Sequence, residues 1–162
     1  MRTAIWAAIV AVVWAVNPLA APAHATPACG VNLGAPEIQG AINSVPTVPQ
    51  GWPWEHNPRS FDPSSNYNPC ATLSAVIITV QQATRSSPEQ TMLFHDGNYV
   101  GTATSKIYNL VSLNSGRTTD DTVVLNYKDP SSSAGDANPT VVTVRYQWQG
   151  DHVAMLDPAP TW

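Results

Sequence analysis

His95 and Asp96 are the residues whose types most readily suggest acid–base chemistry, because an imidazole beside a carboxylate can move a proton. The two residues are adjacent, however, and adjacent side chains of a strand point to opposite faces. Asp96 also precedes Gly97 in a dipeptide typical of a tight hairpin turn. We therefore expect His95 to be a strand-end histidine with a local hydrogen bond. The alternative is an envelope-acting hydrolase built on His95 with Asp120 or Asp121.

The other residues whose side chains could bind a metal or take part in catalysis lack the spacing that such a site needs. His56 and His152 have no His-x-His or His-x₃-His spacing, and Asp120 and Asp121 lack that of an EF-hand loop. There is no Gly-x-Ser-x-Gly nucleophile motif and no glycine-rich phosphate loop. We expect no catalytic residue, no metal and no cofactor, and we interpret the chain as a protein that is not an enzyme.

Composition and length further restrict the kind of protein that this chain can be. The chain has 162 residues, a formal net charge of -4 and 11% charged residues, where an ordinary soluble domain carries about 25%. A pI near 5.3 and the absence of a Lys/Arg cluster exclude the electrostatic footprint of a nucleic-acid-binding protein. The length suits a single domain with one core.

The N-terminal 25 residues predict a secretory signal peptide. A single positive charge precedes an apolar run over residues 4–16, and residues 23–25 match an A-x-A cleavage site. The apolar run is shorter than the roughly 20 residues of a membrane-spanning helix. We expect cleavage between Ala25 and Thr26, no transmembrane segment in the mature chain, and a location outside the cell or in the cell envelope.

Cys29 and Cys70 both lie in the predicted mature domain, residues 26–162. An even number of cysteines in an exported chain favours a disulfide, because the compartments outside the cytoplasm are oxidising. No Cys-x-x-Cys spacing points to zinc instead. A bond between Cys29 and Cys70 closes a loop of about 40 residues and should stabilise the fold by roughly 4 kcal/mol.

The N-terminal part of this domain is rich in proline and contains one predicted helix. Pro36 suits the first helical position, and Pro46 ends the helix. Its apolar positions recur at i, i+3, i+4 and i+7, namely Ile38, Ala41, Ile42 and Val45. Residues 47–69, called the wrapping segment below, contain too many prolines for regular strands and are expected to lie across a sheet.

Aromatic residues of the wrapping segment are the candidate binding surface. Trp52, Trp54 and Tyr67 lie outside predicted strands, where rings can stack on sugars or on a partner protein. The alternative is that these rings cap the core, as a small domain needs. Trp162, at the far end of the sequence, is expected to be disordered.

From residue 73 onward the pattern changes to strands. A continuous β-branched run predicts a strand covered on both faces, and clean alternation later in the chain predicts strands with one buried face. The predicted segments are residues 73–80, 91–95, 98–104, 122–128 and 140–149, with a continuation over residues 152–156 after a tight turn. We expect an α+β fold: an antiparallel, mostly meander sheet of about five strands, with one N-terminal helix and the Pro-rich wrapping segment.

Several of these motifs together resemble a known family. An Asn-Pro-Cys-Ala sequence at residues 68–71 precedes the pattern Leu-Phe-His-x-Gly-x-Tyr-x-Gly-Thr-Ala-Thr at residues 93–104. Asp120-Asp121-Thr122-Val123 and Val144-Arg145-Tyr146-Gln147-Trp148 follow. In this order and spacing they are similar to the LppP/LprE-type lipoproteins of mycobacteria and their relatives, over nearly the whole mature chain.

The resemblance implies an exported envelope protein without an assigned activity or catalytic residues. The family name implies a lipid anchor, but Thr26-Pro27-Ala28 before Cys29 does not form the box that lipidation requires. Cys29 is therefore better matched to Cys70 than to a lipid. We expect a secreted, non-catalytic binding or interaction domain of the cell envelope, whose partner is an envelope or extracellular protein, a lipid or a glycan. A purely structural envelope component is the remaining alternative.

Overall fold

The structure is a computed structural model that describes residues 28–132 and 138–162. The predicted signal peptide and its cleavage site lie outside the described residues. Within those ranges no helix is long and apolar enough to cross a membrane.

The described chain forms an α-helix, a short 3₁₀ helix and seven strands. Helix α1 spans Pro36–Ile42, and the 3₁₀ helix spans Pro58–Ser60. The strands are β1 (Ser74–Thr79), β2 (Glu89–His95), β3 (Asn98–Thr102), β4 (Val111–Leu113), β5 (Thr122–Lys128), β6 (Val141–Trp148) and β7 (Val153–Met155).

Helix α1 begins at Pro36 as the sequence predicts, but it ends at Ile42 and not at Pro46. Asn43 caps it, with its side-chain amide donating to the carbonyl of Gln39, and Val45 is buried beyond the helix. Pro36 takes the start of the helix, where a missing amide hydrogen does no harm, and Glu37 lies in the first turn near the positive end of the helix dipole. Ile38, Ala41 and Ile42 form the buried face. The helix is thus held by the packing of one apolar stripe, as expected for so short a helix.

The α+β class and the antiparallel pairing are confirmed, but the strands form two sheets instead of one, and the predicted number of about five strands is imprecise, since there are seven in the described chain. One sheet has the order β1-β2-β3 and the other β4-β5-β6-β7. The missing strand, β4, is only three residues long, which is too short for alternation to show in a sequence. Residues 103–110 pass from one sheet to the other without a turn motif that would have marked the break.

The three-stranded sheet lies in the middle of the molecule. One of its faces packs against α1 and the rings of the wrapping segment, and the other packs against the four-stranded sheet. This arrangement explains why β1 is apolar at nearly every position, since both of its faces are buried.

The turn between β2 and β3 confirms the hairpin expected from Asp96-Gly97. Both residues have positive φ, 45° and 77°, as a type I′ turn requires. A Cβ on Gly97 would lie 3.2 Å from the backbone of Pro69, so the wrapping segment also needs glycine here. Tyr67 completes the contact, because its hydroxyl donates to the carbonyl of Gly97 at 3.2 Å.

The wrapping segment covers the outer edge of β1 with main-chain hydrogen bonds. Amide groups of the segment donate to alternate β1 carbonyls at 2.8–3.1 Å, from Glu55 to Thr79, from Asp62 to Ile77 and from Asn66 to Ala75. Side chains accept the β1 amides in return: Ser65 Oγ accepts from Ile77, and Asn66 Oδ1 accepts from Ala75. The wrapping segment therefore occupies the place of a neighbouring strand and satisfies the hydrogen-bonding groups on this edge of β1.

The predicted disulfide is present. Cys29 and Cys70 are bonded, with their Cα atoms 5.3 Å apart and 41 positions apart in sequence. The bond joins the beginning of the described chain to Cys70, the residue that directly follows the wrapping segment.

Candidate functional site

A groove of about 640 Å³ lies at one end of the molecule, where loops from both sheets meet. Its volume is within the 300–1,000 Å³ typical of sites for small ligands. Apolar and aromatic side chains form most of its wall, among them Val48, Pro49, Pro88, Ile107, Tyr108 and Trp162. Polar groups at Gln50, Ser86, Ser105, Lys106 and Asn109 complete the lining.

One wall of the groove is fixed by the wrapping segment. The indole Nε1 of Trp54 donates to the carbonyl of Pro46 at 3.0 Å, and the amide of Gly51 donates to the carbonyl of Val48 at 2.8 Å. Trp54 itself is buried against the three-stranded sheet and pairs with Val80 beyond the end of β1. The turn that carries Val48 and Pro49 is therefore anchored to the core.

The opposite wall is fixed by the end of the described chain. Tyr108 donates its hydroxyl to the carbonyl of Pro160 at 2.7 Å, and the Lys106 ammonium donates to the main-chain oxygen of Trp162. Trp162 packs against the core between the two sheets, so the expectation that this residue is disordered is wrong. The Trp162 ring is held by tertiary contacts that no local sequence pattern indicates.

No residue that lines the groove is a histidine, a cysteine or a carboxylate. General acid–base or nucleophilic catalysis usually draws on these side chains. The lining does include Lys106, Tyr108 and two serines, Ser86 and Ser105, beside its apolar wall.

His95 lies at the other end of the molecule, and its ring is held by neighbours on both sheets. Nδ1 lies 2.6 Å from the carbonyl of Thr72 and must donate to it, since a carbonyl only accepts. The ring stacks on Trp148, with centroids 3.7 Å apart and planes at 12°. The local hydrogen bond expected of a strand-end histidine is therefore present.

Asp96 approaches His95 more closely than strand geometry predicts. Its Oδ2 lies 3.4 Å from His95 Nε2, because the positive φ of Asp96 turns the backbone and overrides the alternation of a strand. Asp96 is, however, largely exposed. A carboxylate in water at this distance gives a screened ion pair when the histidine is protonated.

The carboxylates of the hydrolase alternative are engaged elsewhere. Asp120 accepts from the Thr72 hydroxyl at 2.7 Å. Asp121 accepts from Thr119, Thr122 and Gln147, and these hydrogen bonds, led by that of Thr119, hold the pKa of Asp121 below its ordinary value. Neither carboxylate forms a hydrogen bond or ion pair with His95 in the described structure, so no catalytic dyad of that kind is assembled.

The three aromatic residues of the candidate binding surface do not share one surface. Trp54 and Tyr67 are 4% and 1% exposed, whereas Trp52 is 49% exposed. Tyr67 contacts the edge of Phe94 with ring centroids 4.9 Å apart, and burial raises the pKa of its hydroxyl to about 12. The alternative, that rings of this segment cap the core, is correct for Trp54 and Tyr67, and only Trp52 is left to face a partner.

A half-buried carboxyl that the sequence did not point to, that of Glu89, lies between the two sheets. Glu89 Oε2 accepts from the amide of Val111 at 2.7 Å, at the start of β4. Burial raises the pKa of Glu89 to about 7, the hydrogen bond from Val111 opposes the rise, and the charge of Asp62 adds to it. The signal available in the sequence was a carboxylate at the beginning of an otherwise buried strand, which is weak evidence by itself.

The predicted metal candidates remain apart. Among residues 28–132 and 138–162 no three His, Cys, Asp or Glu side chains come together as a metal site would need. The His152 ring nitrogen Nδ1 lies 2.8 Å from Asp151 Oδ1, and His56 Nδ1 lies 3.1 Å from Gln39 Oε1.

Comparison with known proteins identifies the family. The model of the LppP/LprE lipoprotein family matches residues 65–151, which is more than half of the chain. The chain belongs to the LppP/LprE lipoprotein family. The match spans β1 to the turn before β7, and thus includes the three-stranded sheet with the Asp96-Gly97 turn and three of the four strands of the other sheet.

Two relatives extend the match beyond these residues. A protein of Mycobacterium leprae (strain TN) named lipoprotein LprE is 34% identical over 129 residues, which cover 79% of this chain and 59% of the relative. The protein of the same name from Mycobacterium tuberculosis (strain ATCC 25618 / H37Rv) is 30% identical over 129 residues, 79% of this chain and 58% of the relative. The chain thus spans less than two thirds of the length of these relatives. No solved structure gives a significant match.

Within this LppP/LprE family member the disulfide has a chemical consequence. The sulfur of Cys29 is bonded to Cys70. A lipid anchor on a cysteine uses the same sulfur in a thioether, so a chain with this disulfide cannot carry a lipid on Cys29.

Proposed function

We propose that this chain is a secreted, non-catalytic binding domain of the cell envelope, and that it holds a ligand in the groove between the wrapping segment and residues 105–109. The observation that carries the proposal is the groove itself: about 640 Å³, mostly apolar, and anchored on both walls. The family name and the predicted signal peptide support the location.

Two further observations favour binding over catalysis. The groove lining contains no histidine, cysteine or carboxylate, and the His95 and aspartate side chains that could have served a hydrolase lie at the opposite end of the molecule. There they are joined to neighbouring hydroxyl, amide and carbonyl groups. A hydrolase would need a general base within reach of a substrate in a cleft.

The proposal is tested with the uncharged fluorescent dye N-phenyl-1-naphthylamine, whose emission rises in apolar sites. Ser105 is exposed and lines the groove, so Ser105→Trp fills the space without removing a core contact. Ser115→Trp, at an equally exposed position in the β4–β5 loop, is the matched control.

We expect Ser105→Trp to weaken dye binding by at least about tenfold, which is about 1.4 kcal/mol, and Ser115→Trp to leave binding unchanged. Melting curves of both variants establish that each is folded. Absence of dye binding by the unmodified protein, or equal binding by both variants, would overturn the proposal.

A further inference from the structure

The two ends of the molecule carry opposite charge. Three of the cations in the described chain belong to the groove end: Arg85 in the β1–β2 loop, Lys106 in the β3–β4 connection and Lys128 at the end of β5. Asp129 and Glu89 are the acidic residues beside them: Ser131 binds the Asp129 carboxylate through both its amide and its hydroxyl, and Glu89, next to Pro88, accepts from the amide of Val111. Arg85 and Lys106 lie on the same loops that supply groove residues.

The end that carries His95 is acidic. Its loops and turns hold the carboxylates of Asp96, Asp120, Asp121 and Asp151, against a single arginine, Arg117. The chain as a whole has a formal net charge of -4. An anion would thus be repelled by most of the molecule, and the groove end is where its approach is favoured.

Lys106 connects this charge to the apolar wall. Its ammonium lies 5.2 Å from the centre of the Tyr108 ring, and Tyr108 and the neighbouring Ile107 both line the groove. The ammonium already donates to the main-chain oxygen of Trp162, which leaves two of its three N–H groups for another acceptor. The groove therefore has a cation at one point of a mostly apolar lining.

We propose that the ligand of the groove is a single-chain amphiphile with an anionic headgroup, an inference that rests on the proposed function. The headgroup lies at Lys106 and toward Arg85, and the chain lies over Ile107, Tyr108 and the prolines of the groove. The size of the groove favours one small molecule over a protein, because a standard protein interface covers about 800 Å² on each partner. Charge complementarity selects an anion among small amphiphiles.

The test compares three probes that share one twelve-carbon chain: dodecyl phosphate, dodecyl maltoside and dodecyltrimethylammonium. Each is titrated below its micelle concentration against the bound naphthylamine dye. We expect dodecyl phosphate to bind about tenfold more tightly than the maltoside, and the ammonium probe to bind most weakly. Because the cations are exposed, roughly 0.5 M salt should remove most of this preference.

Arg85→Gln removes one charge of the groove end without touching the contact between Lys106 and Trp162. It should weaken dodecyl phosphate binding about threefold and leave dodecyl maltoside unchanged, a loss typical of one exposed ion pair. Arg117→Gln makes the same change at the acidic end and should alter neither. Ser105→Trp should abolish binding of both probes, which places them in the groove.

Each adverse result points to a different failure. Equal affinity for the three headgroups overturns the charge preference and leaves the groove as a binding site. Dye binding without binding of any dodecyl probe overturns the amphiphile, as does a preference for an acidic proline-rich peptide. Association with vesicles of phosphatidylglycerol in the absence of dodecyl phosphate binding would mean that the basic end recognises a membrane surface instead. Absence of dye binding is the failure of the proposed function itself.

Discussion

The sheet edges are covered on one long side of the molecule and uncovered on the other. On one side, the wrapping segment pairs with β1, while the side chains of Glu89 and Ser64 accept the amides of Val111 and Leu113 on β4. On the other side, β3 and β7 are the edge strands, with Val100 and Met155 39% and 50% exposed. We call these the covered side and the open side.

This difference shows where the stability of the fold resides. The covered side combines buried rings, main-chain hydrogen bonds and the disulfide in one stretch of about 40 residues that forms no strand longer than a single bridge. The open side consists of regular strands but buries less. We therefore expect substitutions in the irregular part to destabilise the protein more than substitutions in the regular strands of the open side.

Trp54→Ala is expected to have the largest effect. It removes a buried indole and the hydrogen bond to Pro46, so the free energy of unfolding should fall by about 4 kcal/mol. Trp52→Ala is the matched control, because Trp52 lies two residues away and is half exposed. Urea unfolding of both variants measures the difference.

Met155→Ala extends the same experiment to the open side. Met155 is half exposed, and its replacement should change the unfolding free energy by less than about 0.5 kcal/mol. A loss similar to that of Trp54→Ala would remove the distinction between the two sides.

Cys70→Ser is expected to have the next largest effect. Opening a loop of 41 residues should lower the unfolding free energy by up to about 4 kcal/mol on the chain-entropy model. Reduced unmodified protein should unfold at the same urea concentration as the variant. Identical stability of the variant and the oxidised protein would exclude a stabilising disulfide.

Hydrogen exchange can show which part of the fold loses stability in Cys70→Ser. The amides of Ala75 and Ile77 donate to Asn66 and Ser65 of the wrapping segment, so their hydrogen exchange should accelerate when the disulfide is absent. Exchange at β7 should change little. Uniform acceleration along the chain would mean that the disulfide stabilises the whole fold evenly and not the covered side in particular.

Regular parts of the fold were predictable because their residues carry their own signals. The start and buried face of α1, the Asp96-Gly97 turn and the inward face of β5, with Val123, Leu125 and Tyr127 buried, all follow from periodicity or turn chemistry. Each of these features depends on residues within one turn or a few positions along a strand.

The covered side and the groove were not predictable in the same way. The hydrogen bonds of the wrapping segment to β1 and the contact between Tyr108 and Pro160 join residues far apart in sequence, and no local pattern encodes them. Trp52 and Trp54 show the consequence, since they are only two positions apart in the same Pro-rich segment, yet one ring is half exposed and the other lies in the core. For the same reason the groove, with walls from five separate segments, was not foreseen.

Glu89→Gln tests the covered side by pH and should give the smallest effect of the substitutions on that side. The pKa of Glu89 is raised to about 7 in the folded protein, chiefly by burial, from 4.5 as its ordinary value. A raised pKa means that the protonated form suits the fold better, so this group's contribution to stability is full below about pH 4.5 and is lost as the pH rises through 7.

Glutamine keeps an oxygen that can accept from Val111 but cannot ionise, so the variant should lack this loss. We expect equal stability of the two proteins near pH 4 and an advantage of about 1–2 kcal/mol for the variant at pH 8, a value reduced from the full shift because Glu89 is partly exposed. Asp62→Asn should move the midpoint of the difference to lower pH, because the charge of Asp62 contributes to the raised pKa. A difference between Glu89→Gln and the unmodified protein that does not change from pH 4 to pH 8 would show that Glu89 ionises as freely as a carboxylate in water. The edge of β4 would then be as open to water as those of β3 and β7, and the contrast between the two sides would apply to β1 alone.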